Sequence, residues 1–318
     1  MRTTAVSILL VFFSIKVSAQ KADSIFIQPL GENFSDVKIT FDFPASFSSH
    51  QKTVLIFFAL PNGNTTEQTM GKKLQPGDDW HYDIQHIRAQ TRFLREKISK
   101  QNIIVAYLEN DYKSWPAWKQ KHVNYGELIK KILDTSIHFV SSKSSGEISV
   151  ALNGHSGGGS FIFGYLASVA QIPNYIQRIS FIDSNYGYDS TYYPKLRNWL
   201  LHVRGSHLTV FAYNDSVALY NGKPVVSATG GTWHRSHMMI DDLSKNFHFL
   251  KTKTDSLEIW QTKNKQIGFF LKQNLNRGIY HTQQVELNGF IHSILYGTKQ
   301  ESKGYSYYEA RAYSDFIK

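Results

Sequence analysis

The chain contains no cysteine. That excludes disulfides, thiol nucleophiles and Cys-ligated zinc, so stability has to come from a packed core. Long apolar runs are also scarce. The stretch from Ala5 to Val17 is shorter than the ~20 residues a membrane-spanning helix needs, and no second one follows. Acidic residues are outnumbered, 25 against 35 lysines and arginines, which sets the formal net charge at +10. There is no internal repeat, low-complexity run or evident linker. What is present is 318 residues, 42% of them apolar, enough for one large α/β domain or two small ones.

The first nineteen residues predict a signal peptide. Arg2 supplies the charged start, Ala5 to Val17 the apolar stretch, and Val17-Ser18-Ala19 the small residues before a cut at Gln20. No cysteine follows the cut, which excludes a lipoprotein anchor there. The mature chain, 20–318, loses Arg2 and Lys16 and no acid, leaving +8. Export without disulfides suits a bacterial periplasm or the medium outside. A basic chain favours anionic partners. Export argues against nucleic acid and leaves uronic-acid polysaccharide or an anionic envelope. Scattered surface lysines with no partner are an equally good reading of the same number.

The most informative segment is residues 146–166, with Gly154-His155-Ser156-Gly157-Gly158 at its centre. This is a G-x-S-x-G pattern. Chance supplies such a match roughly one time in ten in a chain this long, so the context decides. Ile148, Val150, Ala151 and Leu152 form a short apolar run suited to a buried parallel strand. Phe161, Phe163, Tyr165, Leu166 and Val169 suit one broad face of a following helix. A serine between strand and helix, flanked by glycines, is what a nucleophile elbow needs. A glycine-rich turn that only lets helix and strand pack closely is the plain alternative, and a phosphate loop a third, lacking both Gly-Lys-Ser/Thr and the G-x-G-x-x-G spacing; the elbow ranks ahead of both.

Along the chain, Ser24–Gln28 and Val37–Phe43 alternate as an antiparallel pair. Thr53–Leu60 and Asn102–Leu108 read as buried strands, and Ile84–Ile98 and Tyr125–Val140 as helices. Further strands are expected at Arg178–Ile182, His207–Tyr213 and Gln266–Leu271, with another strand-like stretch at Ile279–Val285. Alternating strands and helices predict an α/β fold with a mostly parallel central sheet and helices on both faces. Residues 216–265 are the least regular and read as an insertion or cap before the last strand.

These elements resemble the α/β-hydrolase superfamily over roughly residues 50–300. The elbow, together with Asn288-Gly289-Phe290-Ile291-His292-Ser293, is similar to exported bacterial esterases acting on plant polysaccharides. The resemblance implies a serine esterase working through an acyl-enzyme. The expected chain order is Ser, then Asp or Glu, then His, with the acid after a late strand and the histidine in the loop after the last one. No cofactor is implied.

Ser156 is the expected nucleophile. His292 is preferred as base, because it follows an Asn-Gly turn. His281 is the alternative, but its strand-like setting suggests packing. His155 is too near the serine to swing back as base and is read as a supporting residue. For the acid, Asp215 ranks first, Asp183 second and Glu286 third, although Asp at a strand end is often only a turn or cap residue. The oxyanion donors are expected to be the backbone N–H of Gly157 and one from Asn62 or Gly63 in the turn Pro61–Asn64. Trp115 and Trp233 are candidates for stacking on sugar, against the commoner role of aromatics as core. Arg235 is a candidate partner for a substrate carboxylate. His234 and His237 lack a convincing third ligand, so no metal is expected. The expected substrate is an esterified plant carbohydrate, and the positive charge tilts the choice toward an anionic one. Methyl-ester removal from pectin-like material is favoured, with acetyl and feruloyl esters open. A serine peptidase on the same fold, or an inactive carbohydrate-binding protein, are the alternatives.

Overall fold

Apolar runs that leave neither face for water become the centre of a sheet. The computed structural model describes residues 23–28, 36–227 and 229–318; the expected signal peptide lies outside the described residues. The strands are β1 (Ser24–Gln28), β2 (Val37–Phe43), β3 (Thr53–Ala59), β4 (Asn102–Asn110), β5 (Ile148–His155), β6 (Ile176–Ile182), β7 (His207–Tyr213), β8 (Leu219–Tyr220), β9 (Lys223–Pro224), β10 (Phe249–Lys253), β11 (Leu257–Thr262) and β12 (Ile267–Lys272). The helices are α1 (Thr66–Met70), α2 (Ile87–Lys97), α3 (Trp115–Lys121), α4 (Tyr125–Ser141), α5 (Gly159–Ser168), α6 (Tyr193–His202), α7 (Thr232–Ser244), α8 (Gln283–Glu286) and α9 (Gly289–Leu295).

Ten strands form one sheet in the order β1-β2-β4-β3-β5-β6-β7-β12-β11-β10. The six from β4 to β12 are parallel, and antiparallel strands close each edge. Pleating sends alternate side chains to two cores. Leu55 and Phe57 of β3 join α3–α7 on one face. Ile56 and Phe58 join α2, α8 and α9 on the other. Each such fully buried side chain stabilises the fold by about 1.5–3 kcal/mol. The helices follow the same logic. In α4, Ile129, Ile132, Leu133 and Val140 are buried, a 3.6-residue stripe facing the sheet.

This is the α/β fold, with a mostly parallel central sheet and helices on both faces, that the sequence predicts. Residues 216–265 hold the β8–β9 ribbon, α7 and two strands, β10 and β11. These two strands widen the sheet beside β12, while Met239, Ile240 and Leu243 of α7 enter the core. The stretch Ile279–Val285 is not a strand. It is a loop running into α8.

Candidate active site

β5 passes directly into a 3-10 turn at Ser156–Gly158 and then into α5. Ser156 sits at φ 54, in the left-handed region that costs a non-glycine residue on the order of 1–3 kcal/mol. Tight packing holds it there. A Cβ added at Gly158 would overlap the carbonyl oxygen of Ala59 at the end of β3, so the turn closes on the sheet only with glycine. Gly158→Ala is therefore expected to lower stability by about 1–3 kcal/mol, measured by urea unfolding, and to displace Ser156.

The strands neighbouring β5 bring its partners. Asp183 ends β6, is fully buried, and adopts φ 46. Its backbone N–H donates to Phe211 O at 2.7 Å, which ties the turn to β7. The adjacent Ser184 hydroxyl donates to Gly154 O at 2.9 Å, tying the same turn to β5. One Asp183 carboxylate oxygen, Oδ2, is hydrogen-bonded to His281 Nδ1; the other, Oδ1, accepts the Thr232 hydroxyl. An ionised carboxylate only accepts, so Nδ1 carries the proton and Nε2 is left as the basic nitrogen. The His281 side chain is 24% exposed, open enough to meet a substrate. Its ring stacks on His155, the residue before Ser156, with centroids 4.7 Å apart. His155 Nε2 donates to the His281 backbone carbonyl at 3.3 Å. Burial, and then the nearby His281, hold the His155 pKa well below the ordinary histidine value, so this support stays neutral.

The other predicted residues have different surroundings. His292 lies in α9 on the far face of the sheet, 4% exposed, with Nδ1 bonded to Tyr305 Oη at 3.0 Å. Phe270 meets its ring edge-on at 4.5 Å and Tyr307 stacks at 5.6 Å. A base needs an accessible ring nitrogen and a carboxylate behind it; among the described residues His292 has neither, and the histidine that the structure brings to a carboxylate beside the elbow is the alternative, His281. Asp215 is buried but does not bond a histidine. Its oxygens accept the backbone N–H groups of Thr232, at 2.7 Å, and Trp233, at 3.3 Å, at the start of α7. The expected first-ranked acid is thus a helix cap, and the second-ranked Asp183 holds the histidine. Glu286 is bound to Arg311 at 2.7 Å.

In the Pro61–Asn64 turn, Gly63 N–H already donates to Lys113 O at 2.8 Å, which removes it as an oxyanion donor. Asn62 remains, and its side chain stands directly over Gly157. Gly157 N–H lies in the first turn of the 3-10 segment, where helical donors have no partner within the helix. Trp115 is core, 1% exposed and packed on Phe161, and leaves the list of sugar-stacking candidates. Trp233 is half-buried against the core and packs on His237. Arg235 donates to Tyr188 O at 2.9 Å, bracing the loop after β6 to α7, and makes no ion pair among the described residues. Among the described residues no three His, Cys, Asp or Glu side chains gather as a metal site. A cavity of about 340 Å³ opens near Val54, Ser149 and Arg178, at the opposite ends of the strands from Ser156.

Buried histidines give the fold a pH limit. Burial holds His292 down to about 3 and His207 down to about 4. The unfolded chain takes up these protons near pH 6.5 and the folded chain does not. Their stabilisation is complete above about 6.5 and declines as pH falls toward the folded values. Asp215, raised to about 6 by burial and then by Asp183, acts in the opposite sense. Burial also holds His155 and His86 down and raises Asp42, so four histidines stand against two aspartates, and thermal melts are expected to show a lower midpoint at pH 5 than at pH 7.5. An unchanged midpoint would contradict this.

No protein family matches the chain by sequence, and no curated protein does. Solved structures are similar in the course of the chain. Siderophore hydrolase EstB from Aspergillus nidulans is 12% identical, covering 90% of this chain and 98% of that one, with a TM-score of 0.47. A mutant of the feruloyl esterase module from Clostridium thermocellum complexed with sinapinate is 9% identical, covering 90% and 92%, with a TM-score of 0.47. Acetyl xylan esterase from Aspergillus awamori is 13% identical, covering 79% and 93%, with a TM-score of 0.42. Similarity at this level does not carry a substrate from one chain to another.

Proposed function

We propose that the protein is a serine carboxylic-ester hydrolase in which Ser156 is the nucleophile, His281 the base and Asp183 the acid. The observation that carries this is the His281–Asp183 pair stacked on the residue preceding a serine held at φ 54 in a strand-to-helix turn. His281 Nε2 takes the Ser156 proton as Oγ attacks the ester carbonyl carbon. The resulting oxyanion is held by the N–H groups of Gly157 and Asn62. The intermediate collapses, the alkoxide leaves with the proton from His281, and the acyl group stays on Ser156. Water, activated by the same nitrogen, then releases the acid. His155, staying neutral, keeps the His281 backbone in place while the imidazole gains charge.

The substrate class we favour is an esterified plant carbohydrate, with methyl-esterified uronate first. The net charge of +10, or +8 after removal of the signal peptide, supports an anionic polymer, and export to the periplasm or medium would bring the enzyme to it. The test has two parts. A fluorophosphonate probe is expected to label the wild type and not Ser156→Ala, which also loses p-nitrophenyl acetate hydrolysis. Methanol, acetate and ferulate release from methylated, acetylated and feruloylated polysaccharides then ranks the acyl group. If both proteins are equally inert while both bind polysaccharide, the enzyme reading is wrong.

A further inference from the structure

We propose that Asp215 is a positioning residue for the His281–Asp183 pair, acting through Thr232. The proposal rests on His281 being the base. Thr232 is fully buried and has one hydroxyl proton. Its Oγ1 faces two carboxylates, Asp183 Oδ1 and, at 3.3 Å, Asp215 Oδ2. One proton serves one of them, and the much closer Asp183 oxygen takes it. Asp215 can give it up because its needs are met by backbone. It accepts from Thr232 N–H and Trp233 N–H at the N-terminus of α7, where the unpaired amides and the helix dipole favour an anion. A Cβ at Gly231 would overlap the Asp215 carboxylate, so the group is clamped against the start of α7. Asp215 thus fixes the threonine backbone, and the threonine hydroxyl fixes Asp183 in the plane that His281 Nδ1 needs.

There is also a charge effect. Asp215 is a second anion behind His281, and an anion nearby favours the imidazolium formed as Ser156 reacts. The groups facing this cluster do not cancel it. His155 from β5 is held neutral by burial. Tyr213 from β7, Tyr186 from the loop after β6, and Tyr307 and Tyr308 near the C-terminus are pushed up by burial and stay un-ionised. Arg235 on α7 is directed to Tyr188 O. Burial and Asp183 raise Asp215 itself to about 6, so above neutral pH it carries its charge.

Asp215→Asn removes the charge and keeps the stronger cap bond, because an asparagine oxygen in the place of Oδ2 still accepts Thr232 N–H, and only the long 3.3 Å bond from Trp233 N–H is lost. The melting midpoint is expected to stay near that of the wild type. The kcat is expected to fall about 10–100-fold, the order of loss found when the outer hydrogen-bond partner of a metal-bound histidine is removed. The acid limb of the kcat/KM profile is expected to move about 0.5–1 unit lower, since His281 loses a neighbouring anion. Thr232→Val keeps the charge and removes the bridge, so kcat falls while the limb moves less. A wild-type kcat and pH profile in Asp215→Asn would make Asp215 a cap only and overturn the proposal. Should that variant fail to fold, wild-type kcat in Thr232→Val overturns it equally. His281 titration by NMR in the Ser156→Ala background needs no turnover. If the His281 pKa falls when Asp215→Asn is added there, the coupling stands even where the wild type hydrolyses no ester. If it does not move, the coupling fails while the esterase reading is untouched.

Discussion

Changing His281 to asparagine is expected to lower kcat/KM for p-nitrophenyl acetate by about 10⁴–10⁶, the range found when a triad base is removed. The variant should fold, because the His281 side chain is partly exposed and its ring contributes one stacking contact and one hydrogen bond. His292→Asn is expected to behave in the reverse way. It opens a gap among Phe270, Tyr296 and Tyr307 and strands the Tyr305 hydroxyl, which costs about 1–3 kcal/mol of stability, while kcat/KM stays within a few-fold of wild type. Both variants need only a melt and a steady-state assay. A folded His292→Asn protein without activity would return the base to α9.

The contrast between these two histidines shows what the sequence could not settle. Both follow the last parallel strand, and both satisfy the order Ser, Asp, His. The alternation in Ile279–Val285 suggests a strand, but a strand needs a partner, and among the described residues none pairs with this segment. It is held instead by Asn274, whose side chain exchanges hydrogen bonds with Gly278 backbone at 2.9 and 3.0 Å. That local closure delivers His281 to the site, and it depends on a three-dimensional turn that periodicity does not record. The Asn288-Gly289 signal was legible, since Asn288 does adopt φ 66. Its role is to start α9 and hold the C-terminal tail through Ser306 O and Ala310 O, not to present His292.

The acid was ambiguous for a different reason. Asp183 and Asp215 end neighbouring parallel strands, so spacing gives them equal claims. What separates them is the start of α7. Its free amides draw in Asp215, and Asp183 is left facing His281. Trp115, by contrast, carried a readable signal. Ser114 caps α3 by accepting Ala117 N–H at 3.3 Å, and Pro116 follows in the first turn, a helix start readable in the sequence, while the packing of Trp115 on Phe161 that buries it is set by the fold. The sheet itself was the most legible part. Runs such as Thr53–Ala59 and Asn102–Asn110 have no polar face, and only the interior of a parallel sheet accommodates that.

Asp183→Asn is expected to lower kcat/KM by about 10⁴, the second large effect, with little loss of stability. The backbone should tolerate it, since asparagine is among the few residues at ease at φ 46, and the neighbouring ties from Phe211 and Ser184 do not involve the carboxylate. The loss is chemical. An amide NH₂ beside His281 Nδ1 donates to it, so the imidazole proton moves to Nε2, the nitrogen that must accept the proton of Ser156. Asp215→Asn changes no group bonded to His281 and should lose only about 10–100-fold. The ranking of the two variants, measured as kcat/KM from pH 5 to 9, therefore decides between neighbouring strand ends. If Asp215→Asn proved the more damaging by a hundredfold or more, the acid would belong after β7, and the turn carrying Asp183 would have to rearrange when substrate binds.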